Sequence, residues 1–275
     1  MKPIVGITMG DAAGIGPEII VKALSLREIY DLCRPLVIGD LGAMEMGREV
    51  ARSNIKLRAI SHPSEANFRF GVIDVLDLKN IDVARLRMGE PQAMAGKASY
   101  EYIAKAVDLA LKGEIHAIAT APINKKALNL AGYEFAGHTE ILAHLTGCKE
   151  YVMMLYTSTL KVSHVSTHVS LRRACELVTK DRVLKTIKLT HSALRDFGIE
   201  DPNIAVAGLN PHAGEEGLFG CEEIEEIAPA IEEAKKLGIK ASGPYPPDSV
   251  FMRAEKGEFD AVVAMYHDQG HIAVK

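Results

Sequence analysis

Short apolar runs alternate with longer amphipathic stretches along most of the chain. Residues 4–9 and 117–119 are apolar runs typical of buried strands, whereas residues 91–111 carry apolar positions at helical spacing. Two neighbouring strand-like runs, 151–156 and 160–165, are joined by a polar turn and predict a β-hairpin. This order of elements predicts an α/β protein in which helices cover a mostly parallel sheet.

The last apolar run, residues 260–263, is followed within a few residues by polar groups. We interpret His267, Asp268 and Gln269 as part of a loop at the carboxyl end of a buried strand. Open α/β sheets bind their ligands at this end of the strands. The stretch therefore predicts a functional site at this point of the chain.

Three histidines follow predicted strands, namely His168, His212 and His267. A lone histidine is usually structural, but three of them at loops along one sheet edge are consistent with a divalent-metal site. His164 is an alternative to His168, since an even offset on one strand would place both side chains on the same side. The spacing leaves this choice open.

Two further sets of polar residues could belong to the same site. His138 and Thr139 lie at the start of a predicted helix, where an imidazole and a hydroxyl could hold an oxyanion, although Thr139 could simply cap the helix. Asp248 and Asp268 could orient metal-binding imidazoles or relay protons. The glycine-rich residues 10–17 could be a tight turn or an anion-binding helix start.

The composition is that of an ordinary globular protein and argues against binding to nucleic acid or membranes. The chain has 275 residues, of which 48% are hydrophobic and 25% charged, with a net charge of −4. It contains no basic run and no tryptophan, so nucleic acid is not an expected partner. No apolar run approaches the roughly 20 residues that a membrane span needs. The four scattered cysteines form no CxxC pair, which predicts reduced thiols in a cytoplasmic protein.

Taken together, the motifs resemble the 4-hydroxythreonine-4-phosphate dehydrogenase (PdxA) family along the whole chain. The matching stretches, in the family's order, are GDAAGIGPE, TAPINK, GHTE, VSTHVSLR, GLNPHAGE, PPDSVF and YHDQG. The resemblance implies an α/β fold like that of isocitrate and isopropylmalate dehydrogenases, with two interleaved lobes and a mostly parallel sheet. The first lobe is expected over residues 1–135 and the second, which carries the metal site, over residues 136–275.

The same resemblance implies roles for individual residues and a homodimer with active sites at its interface. One metal ligand, His168, is expected to reach into the partner's site. In the family, the lysine matched by Lys275 is followed by an Asn, an Arg and a Gly-rich segment, and we expect the first lobe to be completed by such a segment. The implied metal ligands are His168, His212 and His267, and the implied substrate contacts are His138, Thr139 and Lys275.

The reaction implied by the resemblance is a metal-dependent oxidation by NAD or NADP, with Zn, Mg, Mn or Co as the ion and Asp248 and Asp268 as catalytic candidates. His164 and His271 resemble the family branch of carbohydrate metabolism, which converts D-threonate or D-erythronate 4-phosphate to dihydroxyacetone phosphate and CO₂. One alternative is the 4-hydroxythreonine-4-phosphate dehydrogenase of pyridoxine and pyridoxal phosphate biosynthesis. Others are a non-catalytic metal- or ligand-binding homologue, an inactive truncated form, or phosphoacyl transfer. The motifs assign no residue to cofactor binding.

Overall fold

The chain divides into two compact units, with the boundary between Lys149 and Glu150 in the computed structural model, which describes residues 2–275. The lobes implied by the family resemblance have their boundary after residue 135 instead. The difference arises from the helix His138–Thr146, whose buried Ile141 packs with Ile103 and Leu128 in a core of the first unit. This packing keeps residues 136–149 with the first unit.

The first unit is a fully parallel five-stranded sheet with helices packed against it. Its spatial strand order is β3–β4–β2–β1–β5. Its strands are β1 (Ile4–Thr8), β2 (Arg34–Gly39), β3 (Lys56–Ile60), β4 (Val72–Asp77) and β5 (Ala117–Thr120). Its helices are α1 (Gly16–Leu24), α2 (Arg27–Leu32), α3 (Leu41–Val50), α4 (Ala93–Leu111), α5 (Lys125–Leu130) and α6 (His138–Thr146), with 3₁₀ turns at Pro63–Glu65 and Val83–Arg85.

Local sequence explains these elements. The central strand β2 is a continuous apolar run because both faces of a parallel sheet are covered, and Leu36, Val37 and Ile38 are fully buried. Helix α3 begins after Asp40, whose carboxylate accepts a hydrogen bond from the Ala43 amide at 3.0 Å. The start of α3 therefore follows directly from the end of β2, which places a polar cap at the carboxyl edge of the sheet.

The second unit is a mixed five-stranded sheet in the order β6–β7–β10–β8–β9. Strands β6 and β7 form the predicted antiparallel hairpin, and all other neighbours are parallel. Its strands are β6 (Met154–Tyr156), β7 (Lys161–His164), β8 (Ile204–Ala207), β9 (Ala241–Tyr245) and β10 (Ala261–Ala264). Its helices are α7 (Leu171–Leu177), α8 (Lys180–Asp196), α9 (Ala228–Lys236), α10 (Pro247–Glu255) and α11 (His267–Val274), with a 3₁₀ segment at Pro211–Gly217 and a π-helical turn at Glu223–Ile227.

The α/β class with two lobes and mostly parallel strand pairing is confirmed: each unit has its own five-stranded sheet, and β6–β7 is the antiparallel pair. Two local predictions are wrong. Residues 267–271 form the first turns of α11 and not a loop, because the Gln269 side chain reaches back to accept a hydrogen bond from the Met265 amide at 2.7 Å. Strand β7 ends at His164, so His168 lies beyond it and the two histidines do not share one strand face.

None of the helices in residues 2–275 combines the length and apolarity needed to cross a membrane.

Candidate active site

Four predicted site residues of the second unit lie along one edge of its sheet. Strands β7, β10, β8 and β9 are successive neighbours and run parallel, so their carboxyl ends meet along this edge. Ligands of α/β sheets bind at such edges. In the order of the strands, the residues that follow them are His168, His267, His212 and Asp248.

His168 and His267 lie together in one cavity of about 410 Å³. Their ring centroids are 5.8 Å apart, and the rings are tilted by 45°. Two imidazoles that bind one ion at about 2.0–2.1 Å place their centroids about 5–6 Å apart. The spacing therefore allows the two rings to share an ion.

Asp268 fixes the ring of His267. Its Oδ1 lies 2.7 Å from Nδ1 of His267. A carboxylate in that place accepts a hydrogen bond from Nδ1–H, so the lone pair of a neutral ring is left on Nε2. The prediction that Asp268 could orient an imidazole thus has a geometric basis.

Two further imidazoles, those of His271 and His164, support His267 from behind. The ring of His271 lies parallel to that of His267, with centroids 3.6 Å and planes 13° apart. The Nδ1 of His271 lies 2.9 Å from the His267 carbonyl oxygen. Parallel stacked rings do not direct their lone pairs to one point, so His271 is placed to support His267 and not to share a ligand with it.

The ring of His164 is buried next to that of His271. Their ring centroids are 4.8 Å apart, and the rings are tilted by 49°. The Nδ1 of His164 lies 3.3 Å from the Met153 carbonyl oxygen, and its Nε2 has no hydrogen-bond partner within residues 2–275. Burial lowers the pKa of His164 to about 4, so the ring is neutral at physiological pH. Burial also lowers the pKa of His271. His164 is therefore part of the support and does not replace His168 in the cavity.

Gln269 joins two of the strand ends, a role that the sequence patterns did not reveal. Its Nε2 donates to the Gly208 carbonyl at 2.8 Å, while its Oε1 accepts from Met265. Gly208 follows β8, and Met265 follows β10. The side chain therefore ties the segment that leads to His212 to the start of the helix that carries His267.

The remaining predicted residues of this unit do not join the pair. His212 is exposed in the 3₁₀ segment, and Asp248 is exposed in the first turn of α10. Lys275 is exposed at the end of α11, about 12 Å along the helix axis from His267. Within residues 2–275, no three side chains of His, Cys, Asp or Glu are arranged to hold one ion. The chain by itself brings together two of the three predicted ligands.

The first unit carries a second polar edge, where β1 and β5 end side by side. The glycine-rich loop after β1 is a tight turn, since a Cβ on Gly10 would lie 2.3 Å from the Pro122 carbonyl oxygen. Asp11 in this loop is buried, and its Oδ1 accepts from the Ala13 amide at 3.0 Å. Burial raises the pKa of Asp11, while its hydrogen bonds with Ala13 and Asn124 oppose that shift. The sequence analysis did not single out this carboxyl group.

His138 and Thr139 occupy the first two positions of α6, next to this edge. Gly137 is the residue before the helix, and no side chain caps it, so the capping alternative for Thr139 is wrong. Burial lowers the pKa of His138, opposed by a hydrogen bond with the Ala121 backbone. The ring is therefore neutral near pH 7, and it can offer a hydrogen bond but little positive charge.

The known proteins to which this chain is similar belong to one family, but their names give different substrates. The sequence model described as Pyridoxal phosphate biosynthetic protein PdxA matches residues 31–275. A Clostridium botulinum protein with the provisional name D-threonate 4-phosphate dehydrogenase is 48% identical over 274 residues, which is 100% of this chain and 82% of that protein.

Two crystal structures of proteins named 4-hydroxythreonine-4-phosphate dehydrogenase are also similar. The Burkholderia phymatum structure has a TM-score of 0.91 and 48% identity, over 100% of this chain and 83% of that one. The Klebsiella pneumoniae structure has a TM-score of 0.93 and 47% identity, over 99% of this chain and 82% of that one.

Proposed function

Because the chain belongs to the PdxA family, we propose that it is a dehydrogenase that uses NAD or NADP and a divalent metal ion to oxidise and decarboxylate D-threonate or D-erythronate 4-phosphate. Oxidation at carbon 3 gives a 3-oxo acid, which loses its carboxyl group as CO₂ and leaves dihydroxyacetone phosphate. The name of the Clostridium botulinum relative supports this choice of substrate.

The observation that carries the proposal is the row of His168, His267, His212 and Asp248 along the carboxyl edge of the second sheet. His168 and His267 suit a metal ion in both chemistry and spacing. When bound, the ion supplies positive charge that lowers the pKa of a substrate hydroxyl, and the nicotinamide supplies a hydride acceptor.

We assign the two carboxylates different tasks. Asp268 holds His267 in the tautomer that leaves Nε2 available, as its 2.7 Å contact favours. The carboxylate of Asp248 is exposed in the first turn of α10, where it can take the proton of the carbon 3 hydroxyl. Lys275 supplies a cation for the phosphate or carboxylate of the substrate. His138 and Thr139 supply hydrogen bonds.

We also propose a homodimer with the active site at the subunit interface. Within one chain, His212 does not join His168 and His267 around a common point. A ligand contributed by the partner subunit would complete the set. In the same proposal, the protein is a cytoplasmic enzyme whose partners are small molecules and a second copy of itself.

The alternative substrate is 4-hydroxythreonine 4-phosphate, which the names of both crystal structures favour. It differs from D-threonate 4-phosphate by an amino group in place of the carbon 2 hydroxyl. Its product would be 3-amino-2-oxopropyl phosphate.

A substrate assay separates these possibilities. The full-length protein, loaded with metal, is mixed with each of the three 4-phosphorylated acids and with NAD or NADP, and both NAD(P)H and CO₂ are measured. We expect the highest kcat/KM with D-threonate or D-erythronate 4-phosphate. Turnover confined to the amino acid would select the alternative, and binding without turnover of any acid would refute dehydrogenase activity.

The metal ligands are tested by His212→Ala and a matched control, His191→Ala, which removes an imidazole from helix α8. We expect His212→Ala to lose bound metal and turnover together, while His191→Ala keeps both. Unchanged metal content in His212→Ala would contradict the ligand assignment.

A further inference from the structure

The segment that carries His212 has an unusual backbone. Five consecutive residues, from His212 to Glu216, have positive φ angles between 44° and 81°, and only Gly214 among them is a glycine. Left-handed backbone is disfavoured for each residue that bears a Cβ. Such a turn persists only where surrounding contacts determine it, and these conformations cluster at functional sites. A group near this turn must therefore hold it in place.

Glu223 is that group. Its side chain is only 3% exposed. Its Oε1 accepts hydrogen bonds from the amides of Leu209 and Asn210, both at 2.7 Å. Its Oε2 accepts from Nδ2 of Asn210 at 2.9 Å. One buried carboxylate thus fixes the two residues that lead directly into the 3₁₀ segment.

The local backbone is shaped around this carboxylate. Glu223 opens a π-helical turn, a feature that is often found at functional sites. A Cβ on Gly208 would lie 3.0 Å from Oε1, and a Cβ on Gly214 would lie 2.7 Å from Oε2. The two glycines therefore let the loop close on both oxygens, one before His212 and one after it.

The chemistry of the contacts requires a carboxylate. All three contacts need an acceptor, and an ionised carboxylate is acceptor-only. A glutamine could keep one oxygen on the two amides, but its NH₂ group would then face the NH₂ group of Asn210. Removing acceptors from buried donors is costly, because the donors are left without partners.

We propose that Glu223 is a positioning residue that fixes the left-handed turn and thereby holds His212 at the metal site. This inference rests on the proposed function, since it takes His212 as a metal ligand. Glu223 acts through the backbone of Leu209 and Asn210 and does not itself contact the ion. Its loss therefore affects both the order of the turn and the affinity for metal.

The test compares Glu223→Gln with Glu222→Gln in the full-length protein. Glu222 is the matched control, because it is adjacent, carries the same charge and bonds only the Asn210 side chain, at 2.7 Å. Three quantities are measured: the Co²⁺ affinity, the visible spectrum of the bound Co²⁺, and the hydrogen exchange of the amides of residues 208–217 without metal. Circular dichroism establishes that each variant is folded.

We expect Glu223→Gln to exchange faster in this segment, to bind Co²⁺ about 10–100-fold more weakly and to alter its spectrum. Glu222→Gln should match the wild type in all three. Wild-type exchange in Glu223→Gln, or faster exchange with unchanged Co²⁺ binding, would overturn the positioning role. If the wild type itself binds no Co²⁺, the proposed metal function is wrong, and so is a role of Glu223 at a metal site. The hydrogen-exchange measurement then still decides whether Glu223 fixes the turn.

Discussion

His164 is a single buried residue that couples the candidate site to pH. Its pKa is about 4 in the folded protein, against 6.5 for an unperturbed imidazole, because burial disfavours the charged ring. Between these pH values the unfolded chain binds a proton that the folded chain does not. His164 therefore contributes stability that is fully present above pH 6.5 and is lost as the pH falls to about 4, by about 3 kcal/mol.

His164→Asn should remove most of this pH dependence, since an amide can keep the bond to Met153 without titrating. The measurement is the free energy of urea unfolding of the metal-free protein above pH 6.5 and near pH 4, followed by circular dichroism because the chain has no tryptophan. His138 and His271, whose pKa values burial also lowers, stay in both proteins as an internal reference. An equally steep decline in His164→Asn would show that His164 is not the source.

At the scale of elements, the close packing of helix α11 depends on Gly270, which has no side chain. A Cβ on Gly270 would lie 2.3 Å from Nε2 of His164 and 2.8 Å from Cγ1 of Val162. We expect Gly270→Ala to push α11 away from β7 and to lower the free energy of unfolding by about 1–3 kcal/mol, as in other overpacked interiors. Denaturant unfolding measures this effect.

The control for Gly270→Ala is the double variant with His164→Ala, which removes the imidazole in conflict and leaves the contact with Val162. The cost of Gly270→Ala should be smaller in that background than in the wild type, which a double-mutant cycle detects. Strictly additive costs would mean that the contact with His164 does not limit the approach of the helix.

Elements with a clear local pattern were predictable, and those with a mixed pattern were not. The apolar runs of strand β1 and of the hairpin β6–β7 predict these elements correctly. Strand β9 contains Gly243 and Pro244, which are poor strand residues, so its pattern gives no strand signal. Helix α11 contains Gly270 in its interior, so its pattern predicts a loop instead of a helix. In both cases tertiary packing outweighs local preference.

At the scale of the whole molecule, the order of strands could not be read from the chain. The sequence correctly placed polar groups after strands, but only the pairing of β10 between β7 and β8 puts His267 between His168 and His212 in the row. The left-handed turn at His212 and the buried Glu223 arise from contacts that local patterns do not encode. Sequence thus predicted which residues are candidates, and the fold determined their neighbours.

A subunit-mixing experiment tests the proposed dimer. The family resemblance implies that His168 reaches into the partner's site, whereas within one chain its ring lies 5.8 Å from that of His267. If each site combines His168 of one subunit with His212 of the other, mixed dimers of His168→Ala and His212→Ala contain one intact site. Random mixing should then restore about a quarter of the wild-type turnover. Each variant alone should be inactive, and a mixture that stays inactive would place all ligands in one subunit.

The place of β10 also has a consequence for how the second unit forms during synthesis. The strands on either side of it, β7 and β8, leave the ribosome well before it does, yet they do not pair with each other. The β6–β7 hairpin and the β8–β9 pair therefore remain separate until β10 has been synthesised and pairs with both. Such late, non-local pairing slows folding and leaves strand edges open to aggregation in the meantime. The strand that brings His267 to the site is thus also the one whose arrival completes the sheet.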